Sequence, residues 1–139
     1  MKILIKFFLL VFFISSFGQN CFSNEKIKVG LVVPLSGEFK KIGQSILNSA
    51  RLAVNKIDNK NFVIMPRDSK SDPIEALKVA KDLNLNHDVE IIVGPVFKDS
   101  ARFLNQVSNV TFFSLSNILE NNHSNIISSG VNAISQFNA

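Results

Sequence analysis

At 139 residues the chain is long enough to bury one real hydrophobic core, and an apolar fraction of 46% excludes a disordered polypeptide. The formal charge is only +4, and two of the lysines behind it, Lys2 and Lys6, lie at the amino terminus. No basic stripe remains in the rest of the chain, so a nucleic-acid partner is not expected.

Those two lysines precede an apolar stretch from Phe7 to Ile14, which closes on Ser15, Ser16 and Gly18. Charge, apolar run and small residues in that order predict a Sec-type signal peptide and a periplasmic destination. An uncleaved anchor is the alternative, but the run is too short for a comfortable membrane span. Cleavage can follow Gly18 or Ser23. The second site gives a signal over residues 1–23 and a domain over 24–139; it also removes Cys21, so no disulfide is expected. Gly18, Gln19 and Asn20 are not the aliphatic and small box of a lipoprotein signal, and a lipid anchor is not expected.

From Lys26 onward, apolar runs alternate with helical patterns, the signature of parallel strands joined by crossover helices. Residues 27–33 read as a strand buried on both faces. Over 39–58, Ile42, Ile46, Ala50, Ala53, Val54 and Ile57 recur at three- and four-residue spacing, which predicts a helix lying on the sheet. Residues 62–65 form a second strand that ends at Pro66 or sits at a sheet edge, because proline cannot donate to a ladder.

A third segment, SDPIEALKVAKDL, opens on a capping residue, Asp72, with Pro73 at the first helical position and Glu75 three residues after the cap. Its expected buried stripe is Ile74, Leu77, Ala80 and Leu83. Residues 90–93 are a third strand. Asp99 or Ser100 can cap a short helix through Val107. Residues 110–115 and 126–128 complete the strands. The expected fold class is α/β, an open parallel sheet in the order 2-1-3-4-5.

In such a sheet, ligands bind at the carboxyl ends of the strands, here near the switch between strands 1 and 3. The loops there carry Ser36, Gly37, Asp68, Gly94, Lys98, Ser100, Ser114 and Ser116. Hydroxyls, backbone N–H groups and helix starts of this kind hold a carboxylate or similar anion, although Gly, Pro, Ser and Asp are also plain turn formers. Asp68 reads best as a cap or hydrogen-bond acceptor, and Lys98 as a solvated charge within reach of a ligand.

Enzyme readings find no support. The chain has no G-x-G-x-x-G after strand 1, no Walker A loop and no G-x-S-x-G elbow, so no catalytic residue and no cofactor is expected. His87 and His123 lie in Asn-rich connections without partners at metal spacing, so they read as exposed loop residues and no metal is expected. Phe62, Phe97, Phe103, Phe112 and Phe113 read as core, since no basic residues interleave with them as in a stacking platform.

The stretch VGLVVPLSGEFKKIGQSILNSARLAV resembles the opening of the type I periplasmic solute-binding proteins, the leucine/isoleucine/valine-binding family, whose first strand ends in a Pro-aliphatic-Ser-Gly turn. MPRDSKSDPIEALKVAKDL, IIVGPVFKDSARFL and VTFFSLSN fall in the order and spacing of that family's next three units. The resemblance implies the first part of lobe one of a two-lobed, non-enzymatic binding protein, truncated at Ala139. Its expected partners are a small polar ligand such as an amino acid and an ABC permease.

GPVFK followed by a helix looks closest to the penicillin-binding-protein activator branch, whose implied partner is a penicillin-binding protein. In the family's amino-acid binders a Ser after strand 3 and an Ala-Thr pair after strand 4 hold the ligand. Here Lys98 stands in place of that Ser, with Ser100 nearby, and the strand 4 loop reads Ser114-Leu115-Ser116-Asn117-Ile118. The Ala-Thr pair is absent, a departure that favours another ligand, or none.

Overall fold

The computed structural model describes residues 26–116 and 124–130. The strands are β1 (Ile27–Val33), β2 (Phe62–Asp68), β3 (Ile91–Val93), β4 (Thr111–Ser114) and β5 (Ile126–Ser128). Between them run helices α1 (Lys40–Ile57) and α2 (Pro73–His87), a short α3 (Lys98–Ala101) and a 3-10 turn at Leu104–Gln106. The strands form one parallel sheet in the order β2-β1-β3-β4-β5, as the alternating pattern predicts. The expected signal over 1–23, together with Cys21, Asn117, Ile118 and His123, lies outside the described residues.

Parallel strands are buried on both faces, so successive β1 side chains feed two separate cores. Val32 joins Ala80, Leu83, Ile92, Phe112 and Ile126 on the face covered by α2. Leu31 and Val33 pack with Leu47, Ile46 and Ala50 under α1.

β2 runs straight through Pro66, two residues beyond the expected stop, with Pro66 opposite Leu31 and Asp68 opposite Val33. The edge position makes this possible, because a missing N–H there removes no ladder bond to a further strand.

Both long helices sit where the periodicity places them, but each is rotated. On α1, Ile46, Ala50 and Val54 face inward as expected, joined by Gly43 and Leu47, whereas Ile42, Ala53 and Ile57 are exposed. The pivot is Gly43, where an added Cβ would lie 1.8 Å from the Pro34 carbonyl oxygen. On α2 the buried line is Ala76, Ala80 and Leu83, with Leu77 half-buried and Ile74 73% exposed. Alanine allows a closer approach to the sheet than isoleucine, so the small residues turn inward.

The expected continuous helix up to Val107 is instead α3, a turn and the 3-10 segment. Leu104 and Val107 are both buried, and their three-residue spacing aligns in 3-10 rather than α geometry. His87 is also corrected, since it is the last helical residue of α2 and not a lone loop residue. Its Nε2 accepts from Arg67 Nη2 at 2.9 Å, because a guanidinium only donates, and lies 3.7 Å from Asp82 Oδ2. The Asn86 amide, and then the Arg67 guanidinium, hold the Asp82 carboxyl below its ordinary value against the opposing effect of burial.

Among the phenylalanines, Phe112 is fully buried as expected, but Phe103 and Phe113 are 42% and 37% exposed. Val93 pairs with Phe113 and Phe113 with Ile127, forming an apolar row on the face that α1 reaches only over β1 and β2.

Candidate functional site

The β1 loop, Pro34 to Glu38, stands at the carboxyl edge of the sheet and is fastened to the end of β2. Asp68 Oδ1 accepts from the Leu35 N–H at 2.8 Å and from the Lys70 N–H at 2.9 Å. Partial burial pushes the Asp68 carboxyl up, but the Ser36 hydroxyl and the Lys70, Leu35 and Ser36 N–H groups outweigh it and hold the carboxyl below its ordinary value of 3.8. Ser36, Gly37 and Asp68, expected together, are brought together.

Behind them the chain turns through two left-handed residues, Lys70 (φ 51°) and Ser71 (φ 60°), into α2. The turn is held by Ser69 N–H donating to the Val33 carbonyl at 3.0 Å, and by Asp72, whose Oδ1 accepts from Glu75 N–H at 2.7 Å. The predicted cap is thus made. Gly37 is left-handed too (φ 73°) and faces open space, so it serves the turn.

Across the switch point, Gly94 is buried with φ 110°, and an added Cβ would lie 2.1 Å from the Val32 carbonyl oxygen. Its N–H donates to the Phe113 carbonyl at 2.8 Å. Gly94 therefore forms the floor between β1 and β4 with its backbone. Lys98 opens α3 on the same loop and is half-buried rather than fully solvated.

Ser100 and Ser114 lie beneath the surface, 1% and 0% exposed, and Ser116 is 4% exposed. Ser114 Oγ and Ser116 Oγ are 3.0 Å apart, and Ser128 Oγ donates to the Ser116 carbonyl at 2.7 Å. The hydroxyls of Ser128 and Ser129 thus tie the β5 segment to the Ser116 and Ser114 carbonyls, while the Ser114 and Ser116 hydroxyls meet each other. The residues that rim the switch point openly are Ser36, Gly37, Asp68 and Lys98.

Two further residues stand at this edge, one of them, Phe97, expected as core. Phe39, the N-cap of α1, and Phe97, the N-cap of α3, place their rings 4.8 Å apart at a 59° tilt. The available signal was a helix start without Ser, Thr, Asn or Asp. Lys40 begins α1, and its first turn carries no acidic residue.

Two hollows elsewhere are distinct from this edge. One of about 290 Å³ lies between α1 and β2, lined by Leu47, Arg51, Phe62 and Pro66. The other, about 470 Å³, lies at the opposite, amino-terminal end of the strands beside Lys28 and Glu90.

Comparison with known proteins converges on one group. The family described as periplasmic binding protein matches residues 26–139. Glutamate receptor 2.8 of Arabidopsis thaliana is 36% identical over 98 residues, covering 68% of this chain and 10% of the receptor. The branched-chain amino acid transporter substrate binding protein LivJ of Streptococcus pneumoniae, solved in complex with isoleucine, is 27% identical with a TM-score of 0.60, covering 69% of this chain and 30% of that one. A solute binding protein of an ABC transporter from Rhodopseudomonas palustris, in complex with p-hydroxybenzoic acid, shares the fold at 21% identity and a TM-score of 0.59, covering 66% of this chain and 27% of that one. The chain thus spans about a third or less of the length of the proteins it matches.

Proposed function

The chain belongs to the periplasmic binding protein family, with the lobe architecture of its leucine/isoleucine/valine-binding type, and from that premise we propose that it takes up a small polar acid for an ABC-type permease. The family and its structural neighbours are non-enzymatic binding proteins. The proposed ligand is an amino acid or an aromatic acid, the classes bound by the neighbours solved with isoleucine and p-hydroxybenzoic acid.

The observation that carries the reading is the fastening of the β1 loop. Asp68 immobilises Leu35 and Ser36 at the switch point, so the loop is organised before any ligand arrives. Ser36, Gly37 and Lys98 then form one wall of an interlobe cleft, with Asp68 and Gly94 as its support. Ser100, Ser114 and Ser116 stand behind that wall. A signal over residues 1–23, cleaved on export to the periplasm, completes the proposal.

A thermal-shift screen of the full-length protein against amino acids and small carboxylates tests it. A shift with one chemical class supports uptake, and no shift with any of them counts against it. The intact mass of the exported product tests the leader, with the mature chain expected to begin at Asn24.

One observation favours a second reading. Ser100 and Ser114 are spent on the fold, which suits a lobe that docks to a protein rather than to a solute. In that reading the partner is a penicillin-binding protein and the chain a regulator of peptidoglycan synthesis. Retention of a penicillin-binding protein in a pull-down, with no small-molecule shift, is its distinguishing result.

A further inference from the structure

Helix starts in this chain follow two rules. α2, which begins beyond edge strand β2, is capped by Asp72 with Pro73 behind it, as helix physics prefers. α1 and α3 begin on either side of the β1/β3 switch point. Each has phenylalanine at its N-cap and no side-chain hydrogen bond to its first turn. Phenylalanine is a poor residue for that position, and it occurs there twice, at the two helix starts that flank the expected ligand edge.

The two rings have found each other. Their centroids are 4.8 Å apart at 59°, a tilted contact of the favourable kind, yet 37% of Phe39 stays exposed and Phe97 is only half-buried. A pair serving the core alone would be covered, as Phe112 is at 0%. Natural proteins break local rules at functional sites, and this pair breaks the capping rule twice while leaving ring surface open.

We infer that Phe39 and Phe97 form an aromatic wall of the solute site and select an acid that carries an aromatic ring over an aliphatic one. The inference rests on the solute-binding reading and adds the ligand class to it. The ligand ring joins the pair as a third member, edge or offset face against Phe39, while the Lys98 end of the polar rim takes the acid group.

Calorimetry on the full-length protein with benzoate and with isoleucine tests this. The wild type is expected to prefer benzoate. Phe39→Leu and Phe97→Leu, which keep apolar volume but remove a ring, are expected to weaken benzoate binding about 3- to 10-fold and to leave isoleucine within about 2-fold. The readout is the ratio of the two affinities, which general loosening of the lobe does not change. Phe39→Ala serves as a second variant, with the same expected direction. Equal loss for both ligands, or no change in the ratio, overturns the aromatic wall while leaving solute binding in place. Failure of the wild type to bind either acid, or any other solute, overturns the reading beneath it.

Discussion

Asp68 Oδ1 accepts a hydrogen bond at 2.8 Å from the backbone N–H of Leu35, which lies 33 residues earlier in the chain. The contact links the end of edge strand β2 to the loop that leaves central strand β1, and holds Ser36 beside it. Asp68→Asn keeps the shape but removes the charge and one acceptor face. It is expected to cost about 1.5 kcal/mol of stability, the low end for a hydrogen bond to a charged group because Asp68 is only partly buried. Urea titration measures this, and ligand affinity of the full-length protein should fall with it.

The same carboxylate predicts an acid dependence. Its folded-state value lies below the ordinary 3.8, so the folded chain binds its proton less readily than the unfolded chain. The contribution of Asp68 is therefore fully present above about pH 4 and is lost as pH falls through the lowered value. Stability of Asp68→Asn relative to wild type, followed by urea midpoints from pH 6 to pH 2.5, should show a gap that closes toward acid. A gap independent of pH would refute the assignment.

Glycine positions separate backbone geometry from space. Gly94→Ala puts a methyl 2.1 Å from the Val32 oxygen at φ 110°, and Gly43→Ala puts one 1.8 Å from the Pro34 oxygen. Both contacts are with backbone, which cannot swing aside, so each substitution is expected to cost well over about 2 kcal/mol or to prevent folding. Gly37→Ala meets nothing and should cost only the left-handed backbone penalty of about 1–2 kcal/mol. Melting temperatures of the three variants should rank accordingly.

The apolar row of Val93, Phe113 and Ile127 gives a fourth expectation. With Phe113 37% and Ile127 47% exposed, the 139-residue chain made by itself should bind a hydrophobic dye in its folded state. Ile127→Thr should lower dye fluorescence with little change in melting temperature, because the residue is at the surface and threonine retains the β-branched shape. Unchanged fluorescence would mean that the row is covered in solution.

Much of the architecture was legible in the residues. Val29–Val33 is an unbroken run of apolar residues and glycine, as a strand buried on both faces must be, and Asp72-Pro73 announces a helix start that the structure makes with a 2.7 Å cap. The loops that meet at the switch point follow from that alternation, and Ser36, Gly37 and Asp68 with them. The rotation of α1 and α2 was not legible. Periodicity shows that a helix has an apolar side, but only the approach of Gly43 to Pro34 and of Ala76 and Ala80 to the sheet selects which residues lie beneath it.

By itself, then, the sequence determined local matters: strand and helix identity, the cap of α2, the edge character signalled by Pro66, and the order of the loops. Each depends on neighbours a few residues apart, where backbone sterics and hydrogen-bond satisfaction act directly. Only the tertiary structure decided that Ser100 and Ser114 are buried, that His87 meets Arg67 and Asp82, and that Phe39 reaches Phe97. Those outcomes depend on distances between segments remote in the chain, set by how closely two helices and two loops pack on one sheet.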